Sequence, residues 1–555
     1  MGRSIELAEI DTAGKAPSVK NAPRTSIHCL GNEYNSLHAT PFVGTCIQPD
    51  LEAGLDKPDW KPGVSEWLFM TCICILVMMD SFNATVATPL IPDLAVGLEQ
   101  PLESTLWINT SYFLANAASQ TISSMLAEVF GHGPILLSAV VLATIGTGVC
   151  GGSLDLAGLI AGRSLQGTGG GGILAASFLI ISDLIPKYHQ TRFSRYIFCA
   201  QVTGTILGAV LGGLFGEYAT PIWLYYSSFV FCALGMLVVP FAVDLRGCGQ
   251  GKVGYVCKLR RLDWIGALLS LLGVGCLLIG ISWGGTRFAW DAAATLAPIC
   301  VGASLLLILV VYERFWTVYP FFRSDMFKTL STTMLHGSGF IHGLLLSTHL
   351  QFLPMHLDFV KYLSCALTGL GLVTLIGPTL PALYLLERLR FLHQPNLTTW
   401  ILRLGWILAI VSTGCLEILH SKIHTSVWIF LFLVAGLSHA FLIPSYNRCI
   451  QNQACDSEKD DDESKGLLKR KPPPILLYSI LRTWGMCLAI PVSGTIVLNQ
   501  LPWDPERRFL DLNTVELAAL MPGGDHDGYV EGFRVLWPVW TGVAALGGIS
   551  SLFVK

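Results

Sequence analysis

About fourteen apolar segments, each near the ~20 residues a helix needs to cross a bilayer, leave this chain very few ways to fold. They run approximately over 67–90, 106–127, 134–153, 157–181, 196–216, 222–243, 264–283, 292–312, 332–353, 363–386, 400–419, 426–444, 475–499 and 533–554. In hydrocarbon every backbone N–H and C=O has to be paired within the protein, and segments of this length achieve that as helices. Of the 555 residues only 13% are charged and 52% are hydrophobic, whereas about a quarter of a soluble domain is charged. The expectation is an all-α membrane protein that crosses the bilayer many times.

The segments divide as six, two and six. Residues 1–65 are polar, have no apolar signal core and read as a disordered cytoplasmic tail with no cleavable signal peptide. Residues 66–243 hold the first six-helix bundle, 244–325 a linker with spans seven and eight, and 326–555 the second bundle. Lys187, Arg192, Arg195, Lys258, Arg260, Arg261, Arg388 and Arg390 fall in alternate loops, which places those loops and both termini in the cytoplasm. A cytoplasmic loop is expected over 446–473, including the charge run Asp456–Lys471, and an acidic extracellular loop over 501–531.

Several chemistries are disfavoured. A net charge of −3 gives no footing for nucleic acid. The 16 cysteines are scattered without zinc spacing and read as helix-packing residues, so neither metal nor cofactor is expected. Gly167–Gly172 lacks the Lys-Ser/Thr of a phosphate loop and lies inside an apolar run. Asn83 and Asn109 head glycosylation triplets within or against the membrane, and Asn396 heads one on the inner side, so none is expected to be modified. No nucleophile–base constellation emerges, so the chain is not read as an enzyme.

The polar residues inside the apolar runs carry the functional signal, because each is expensive to bury in lipid. Asp80 sits in the first span, where a carboxyl can load and release a proton; the competing reading is a carboxylate permanently bonded to neighbours such as Asn83. Arg163 lies about two turns into the fourth span, followed by Gln166 and glycines that permit close helix approach. Asn109, Tyr112, Asn116, Gln120 and Ser123 recur at steps of three and four, so they share one face that lines either an aqueous cavity or a helix interface. The fifth span offers Gln201, Thr205, Gly208 and Gly212. In the ninth, His336, His342 and His349 are read as structural or cavity-lining histidines without metal-ligand spacing. Arg482 lies two turns into the thirteenth span, either snorkelling or joining an interdomain network. Pro378, Pro381, Pro491 and Pro538 are expected to interrupt helices.

Asp80–Pro89 (DSFNATVATP), Gly162–Gly172 (GRSLQGTGGGG) and Gly204–Gly213 (GTILGAVLGG) resemble the first-, fourth- and fifth-helix motifs of the fourteen-spanner drug:proton antiporters of the major facilitator superfamily, particularly its fungal members. Leu262–Leu269, His342-Gly343 and Arg482-Thr483-Trp484-Gly485 are similar to further family elements. The resemblance implies a major facilitator fold with 14 transmembrane helices, two six-helix bundles plus two inserted central helices. It implies proton-coupling roles for Asp80 and Arg163, and motif or gating roles for Glu128, Gly131, Gly204, Gly208, Gly212, Gly213 and Arg482. Asn83, Asn109, Tyr112, Asn116, Gln120, Gln166, Gln201, His342 and His349 are the expected substrate-cavity residues. The chain departs from the family pattern at Val129, His132 and Gly133, where basic residues are usual, and at Ala209, where a proline is usual.

The expected function is proton-coupled efflux of a small hydrophobic organic compound (a toxin, secondary metabolite or drug) by alternating access. The expected partners are the substrate, protons and the lipid bilayer, with the protein monomeric and most naturally in the plasma membrane. A siderophore or vacuolar basic amino-acid transporter on the same fold, and a non-transporting membrane sensor, are the alternatives.

Overall fold

The computed structural model describes residues 60–242, 262–317, 329–388, 394–420, 422–459, 473–500 and 526–554, and these are helical with short connections. Fourteen long segments appear among them. They are α1 (Val64–Thr85), α2 (Trp107–Phe130), α3 (His132–Gly152), α4 (Leu156–Leu184), α5 (Lys187–Tyr218), α6 in two pieces (Ile222–Tyr226 and Ser228–Ala242), α7 (Trp264–Trp283) and α8 (Ala293–Phe315). The second half supplies α9 (Leu330–Lys361), α10 in two pieces (Cys365–Ile376 and Thr379–Arg388), α11 (Pro395–Cys415), α12 (Thr425–Lys459), α13 (Pro474–Leu498) and α14 (His526–Leu552).

Local chemistry sets several of these boundaries. Asp155 caps α4 by accepting from the Gly158 amide at 3.2 Å, and Asp263 caps α7 from the Gly266 amide at 2.8 Å. Gly131 separates α2 from α3 at φ 88°, a left-handed backbone that glycine tolerates without a Cβ clash. Twelve of the described helices are long and apolar enough to cross a membrane. The long helices outside that set are α2 and α9, and they carry the densest buried polar content, including Asn109, Asn116, Gln120, His342 and His349. Their polarity is tolerable because they face protein.

The first bundle is assembled through glycine. A Cβ on Gly167 would meet the Tyr112 carbonyl oxygen at 2.2 Å, and one on Gly171 the Asn116 carbonyl at 2.2 Å, so α4 lies directly on the backbone of α2. Gly204 and Gly212 seat α5 against Met78 of α1 and Val86 at its C-terminal cap in the same way, at 2.2 and 2.1 Å. Ala209, fully buried, packs its carbonyl under Gly369 of α10, so this seam continues into the second half.

The two halves touch at both ends. At the Lys/Arg-rich end Asn447 donates to the Thr191 carbonyl (3.1 Å), Gln451 donates to Ser194 (3.1 Å), and Thr191 bonds Gln451. At the other end the Cys365 thiol meets Asp93 (2.6 Å), and the Ala366 amide donates to Glu217 (3.0 Å). The inserted helix α7 leans on both halves: Trp107 donates to Ser282 at 3.2 Å, and Thr495 to the Ile281 carbonyl at 2.8 Å. Helix α8 packs chiefly on α7 and leaves Leu307 and Val310 exposed on its outer face.

Three boundary expectations need correction. The loop expected over 446–473 starts later, because α12 runs on to Lys459, held by the Asn447 and Gln451 bonds to α5. The loop expected over 501–531 ends earlier, because α14 begins at His526; Tyr529 stacks on Phe359 at 4.5 Å and Glu531 pairs with Arg534 at 3.7 Å. Of the prolines, Pro378 falls between the two pieces of α10, but Pro491 and Pro538 sit within continuous helices. Each removes one backbone donor, which a packed membrane helix absorbs by local adjustment. Residues 1–59, the charge run beyond Lys459, and 501–525 lie outside the described residues.

Candidate functional site

Arg163 is fully buried and is satisfied by oxygens rather than by a carboxylate. Its Nη1 donates to the Asn83 carbonyl (2.7 Å) and Gln166 Oε1 (3.1 Å), its Nη2 to Asn109 Oδ1 (3.0 Å), and its Nε to the Ile108 carbonyl (3.3 Å). The guanidinium also lies 4.4 Å from the centroid of the Tyr112 ring. One side chain of α4 thereby ties α1 to α2. Gln166 extends the tie to α3 by donating to Thr147 at 3.0 Å.

The Tyr112 hydroxyl donates to Asp80 Oδ1 at 2.6 Å and also lies 2.7 Å from the Asp80 carbonyl, and Asn116 donates to the same Oδ1 at 2.9 Å. Gly170 makes room for that carboxylate, since a Cβ there would sit 1.9 Å from Oδ1. Both side-chain bonds converge on Oδ1, leaving Oδ2 as the oxygen without a donor. Arg163 and Asp80 are therefore coupled through Tyr112, not by direct contact.

Between the halves lies a cavity of ≈ 90 Å³, room for several water molecules. The first half contributes Asp80, Tyr112, Asn116 and Gln201 to its wall; the second contributes His439, Arg482, Thr483 and apolar side chains such as Leu346, Leu350 and Met486. Arg482 donates to Gln201 at 3.1 Å, directly across the boundary, and is flanked by the rings of Phe198 (5.7 Å) and Tyr478 (5.6 Å). Its Nε is buried without a partner.

The other expected cavity residues stand behind this wall. Gln120 bonds Asn116 and Thr483, both at 2.9 Å, and accepts from Ser479 at 2.9 Å. Asn109 reaches across to Gln351 at 2.7 Å. Asn83 accepts from Ser228 of α6 at 2.5 Å. His342 and His349 are fully buried and joined through His439: His342 Nε2 lies 3.2 Å from His439 Nδ1, and His439 Nε2 lies 3.0 Å from His349 Nδ1. The row ends on Thr413 (3.2 Å) beyond His349 and on Tyr478 (3.5 Å) beyond His342. Of the gating candidates, Gly131 ends α2, Gly204, Gly208 and Gly212 face α1, and Gly213 faces Cys365 of α10. The side chain of Glu128 is outside the described set. His132 lies 2.5 Å from Asp183.

Sequence reasoning passed over His439, Gln351 and Ser479, and named Thr483 only as part of the Arg482–Gly485 element. His439 had a usable signal, an ionisable residue inside an apolar run. The other three are ordinary polar residues whose partners lie on helices of the opposite half.

A model described as the Major Facilitator Superfamily matches residues 73–459. The chain is 26% identical over 515 residues to an MFS transporter L2 of a Phoma species, covering 89% of this chain and 83% of that one. It is 23% identical over 537 residues to an efflux pump FUS6 of Gibberella moniliformis, covering 92% of each. Among solved structures it is similar to the human organic anion transporter MFSD10, with a TM-score of 0.55 and 13% identity over 88% of this chain and all of that one; at that identity the likeness speaks to the fold alone.

Proposed function

The chain belongs to the Major Facilitator Superfamily, and on that premise we propose that it is a proton-coupled efflux transporter of a small hydrophobic organic compound of the secondary-metabolite, toxin or drug class. The relative named as an efflux pump supports the direction of transport. The observation that carries the reading is Asp80: a carboxyl in the wall of the cavity, held by Tyr112 and Asn116 and facing a guanidinium contributed by the other half.

In this mechanism the halves rock about the cavity, which opens alternately to either face. Asp80 carries the proton. Arg163 is a positioning residue that fixes Tyr112, and through it Asp80, by clamping α1 and α2. The end bearing Thr191 and Gln451 is the cytoplasmic gate, and the end bearing Asp93 and Cys365 the outer one. The protein works as a monomer in the plasma membrane with both termini cytoplasmic. A basic amino acid suits this wall poorly, because it offers one carboxyl opposed by an arginine.

The test uses purified protein in proteoliposomes and N-phenyl-1-naphthylamine, a neutral hydrophobic dye, under an imposed proton gradient. Wild type should move the dye against its gradient; Asp80→Asn and Arg163→Ala should not. Dye movement by both variants at the wild-type rate would remove Asp80 and Arg163 from the coupling mechanism.

A further inference from the structure

The cavity wall presents two unsatisfied polar groups of opposite kind. Asp80 Oδ1 is saturated by Tyr112 and Asn116, so Oδ2 is the acceptor left for a ligand. On the facing wall, Arg482 Nε is a buried donor with no partner, on a side chain only 7% exposed. No carboxylate among the described residues lies within 4.0 Å of Arg482, whose partner across the gap is the neutral Gln201. Leu346, Leu350, Phe113 and Met486 add hydrocarbon to the wall, beside the neutral hydroxyls of Ser81, Thr85, Thr205, Thr379 and Thr483.

The charges facing one another are few. Asp80 of α1 meets Tyr112 and Asn116 of α2, Arg163 of α4 behind Tyr112, Gln201 of α5, His439 of α12 and Arg482 of α13. With Asp80 ionised, the wall itself carries one negative and one positive group, and Arg163 stands behind Tyr112 on neutral oxygens, so an ion of either sign would meet a group of its own sign in a low-dielectric site. A neutral molecule meets no such repulsion.

We propose that the substrate is an uncharged hydrophobic compound bearing both a hydrogen-bond donor (O–H or N–H) and a carbonyl-type acceptor: the donor binds Asp80 Oδ2 and the acceptor binds Arg482 Nε. This rests on the reading that the cavity is the transport site. It also gives the exchange its physical basis. A proton on Oδ2 occupies the position that the substrate donor requires, so the two groups compete for one oxygen, and a mispaired buried donor weakens binding by roughly tenfold or more.

Ligand-observed saturation-transfer NMR on the full chain in nanodiscs tests this without any transport step. The probes are 4-hydroxyacetophenone (donor and acceptor), acetophenone (acceptor only), phenol (donor only), 4-hydroxybenzoate (anion) and tyramine (cation). The expected order puts 4-hydroxyacetophenone at least tenfold tighter than the other four. Its affinity should fall on acidification, whereas that of acetophenone should not. Asp80→Asn should abolish this pH dependence, and Arg482→Gln should bring 4-hydroxyacetophenone down to the level of phenol while phenol itself is unchanged. Tighter binding by either charged probe, equal binding by all five, or no binding by 4-hydroxyacetophenone overturns the proposal. Binding in the expected order with no proton-driven movement of 4-hydroxyacetophenone itself into or out of proteoliposomes would instead overturn the coupling reading and leave the substrate class standing.

Discussion

Replacing Gly170 by alanine puts a methyl group where the Asp80 carboxylate now rests. The new Cβ would lie 1.9 Å from Oδ1 and 2.9 Å from Asn116 Nδ2, whereas ordinary contact begins near 3.4 Å. The carboxylate has to retreat by well over an ångström, which takes Oδ1 out of reach of both Tyr112 (2.6 Å) and Asn116 (2.9 Å). A hydrogen bond to a charged group contributes about 1.5–3 kcal/mol, so losing both costs about 3–6 kcal/mol. The assay is denaturant unfolding of detergent-solubilised protein followed by tryptophan fluorescence, run as a double-mutant cycle with Asp80→Ala. In that background the obstructing atom is gone, and Gly170→Ala should cost less than ~1 kcal/mol, a strong coupling of the two sites. An equal cost in both backgrounds would refute the argument that Gly170 is present to accommodate the carboxylate.

Three further outcomes are expected. Gly204→Ala and Gly212→Ala press a methyl into the Met78 and Val86 carbonyls, which are backbone and cannot move aside; each should destabilise by ~1–3 kcal/mol or prevent folding, while Gly148→Ala, whose nearest obstacle is 3.7 Å away, should be neutral in the same unfolding assay. His439→Leu strands the facing nitrogens of His342 and His349 and should cost ~2–6 kcal/mol by thermal or chemical denaturation, with His439→Gln recovering part of it. Gln451→Ala removes the side-chain bonds to Ser194 and Thr191 at one end, each contributing ~1 kcal/mol, and should raise the rate at which a maleimide applied from that side labels a Met486→Cys reporter by fivefold or more.

Hydrophobicity and helical spacing carry the architecture. The seventh span, expected over 264–283, is α7 at Trp264–Trp283, because an acidic cap and uninterrupted hydrocarbon define both its ends. The stripe on α2 is legible for the same reason: steps of three and four put Asn109, Tyr112, Asn116 and Gln120 on one side, and all four are buried. What those groups touch is not written locally. Asn109 meets Gln351 across 242 positions and Gln120 meets Thr483 across 363, so the partners have no shared pattern and emerge only when the halves dock. Helix ends in water were misjudged for a related reason. The polar continuation of α12 resembles a loop in composition, yet it is held as helix by its contacts with α5.

The row of histidines has one more property. A neutral imidazole offers one donor and one acceptor, so the bonds His342–His439–His349–Thr413 are all satisfied only if every one points the same way. There are two such arrangements, mirror images in direction, and no mixed one without a lone pair facing a lone pair or two hydrogens colliding. Turning one into the other moves a proton across each ring while every heavy atom stays in place. The row therefore behaves as a single binary element spanning α9, α12 and α11: fixing the hydrogen at its Thr413 end dictates the tautomer at His342, two rings away.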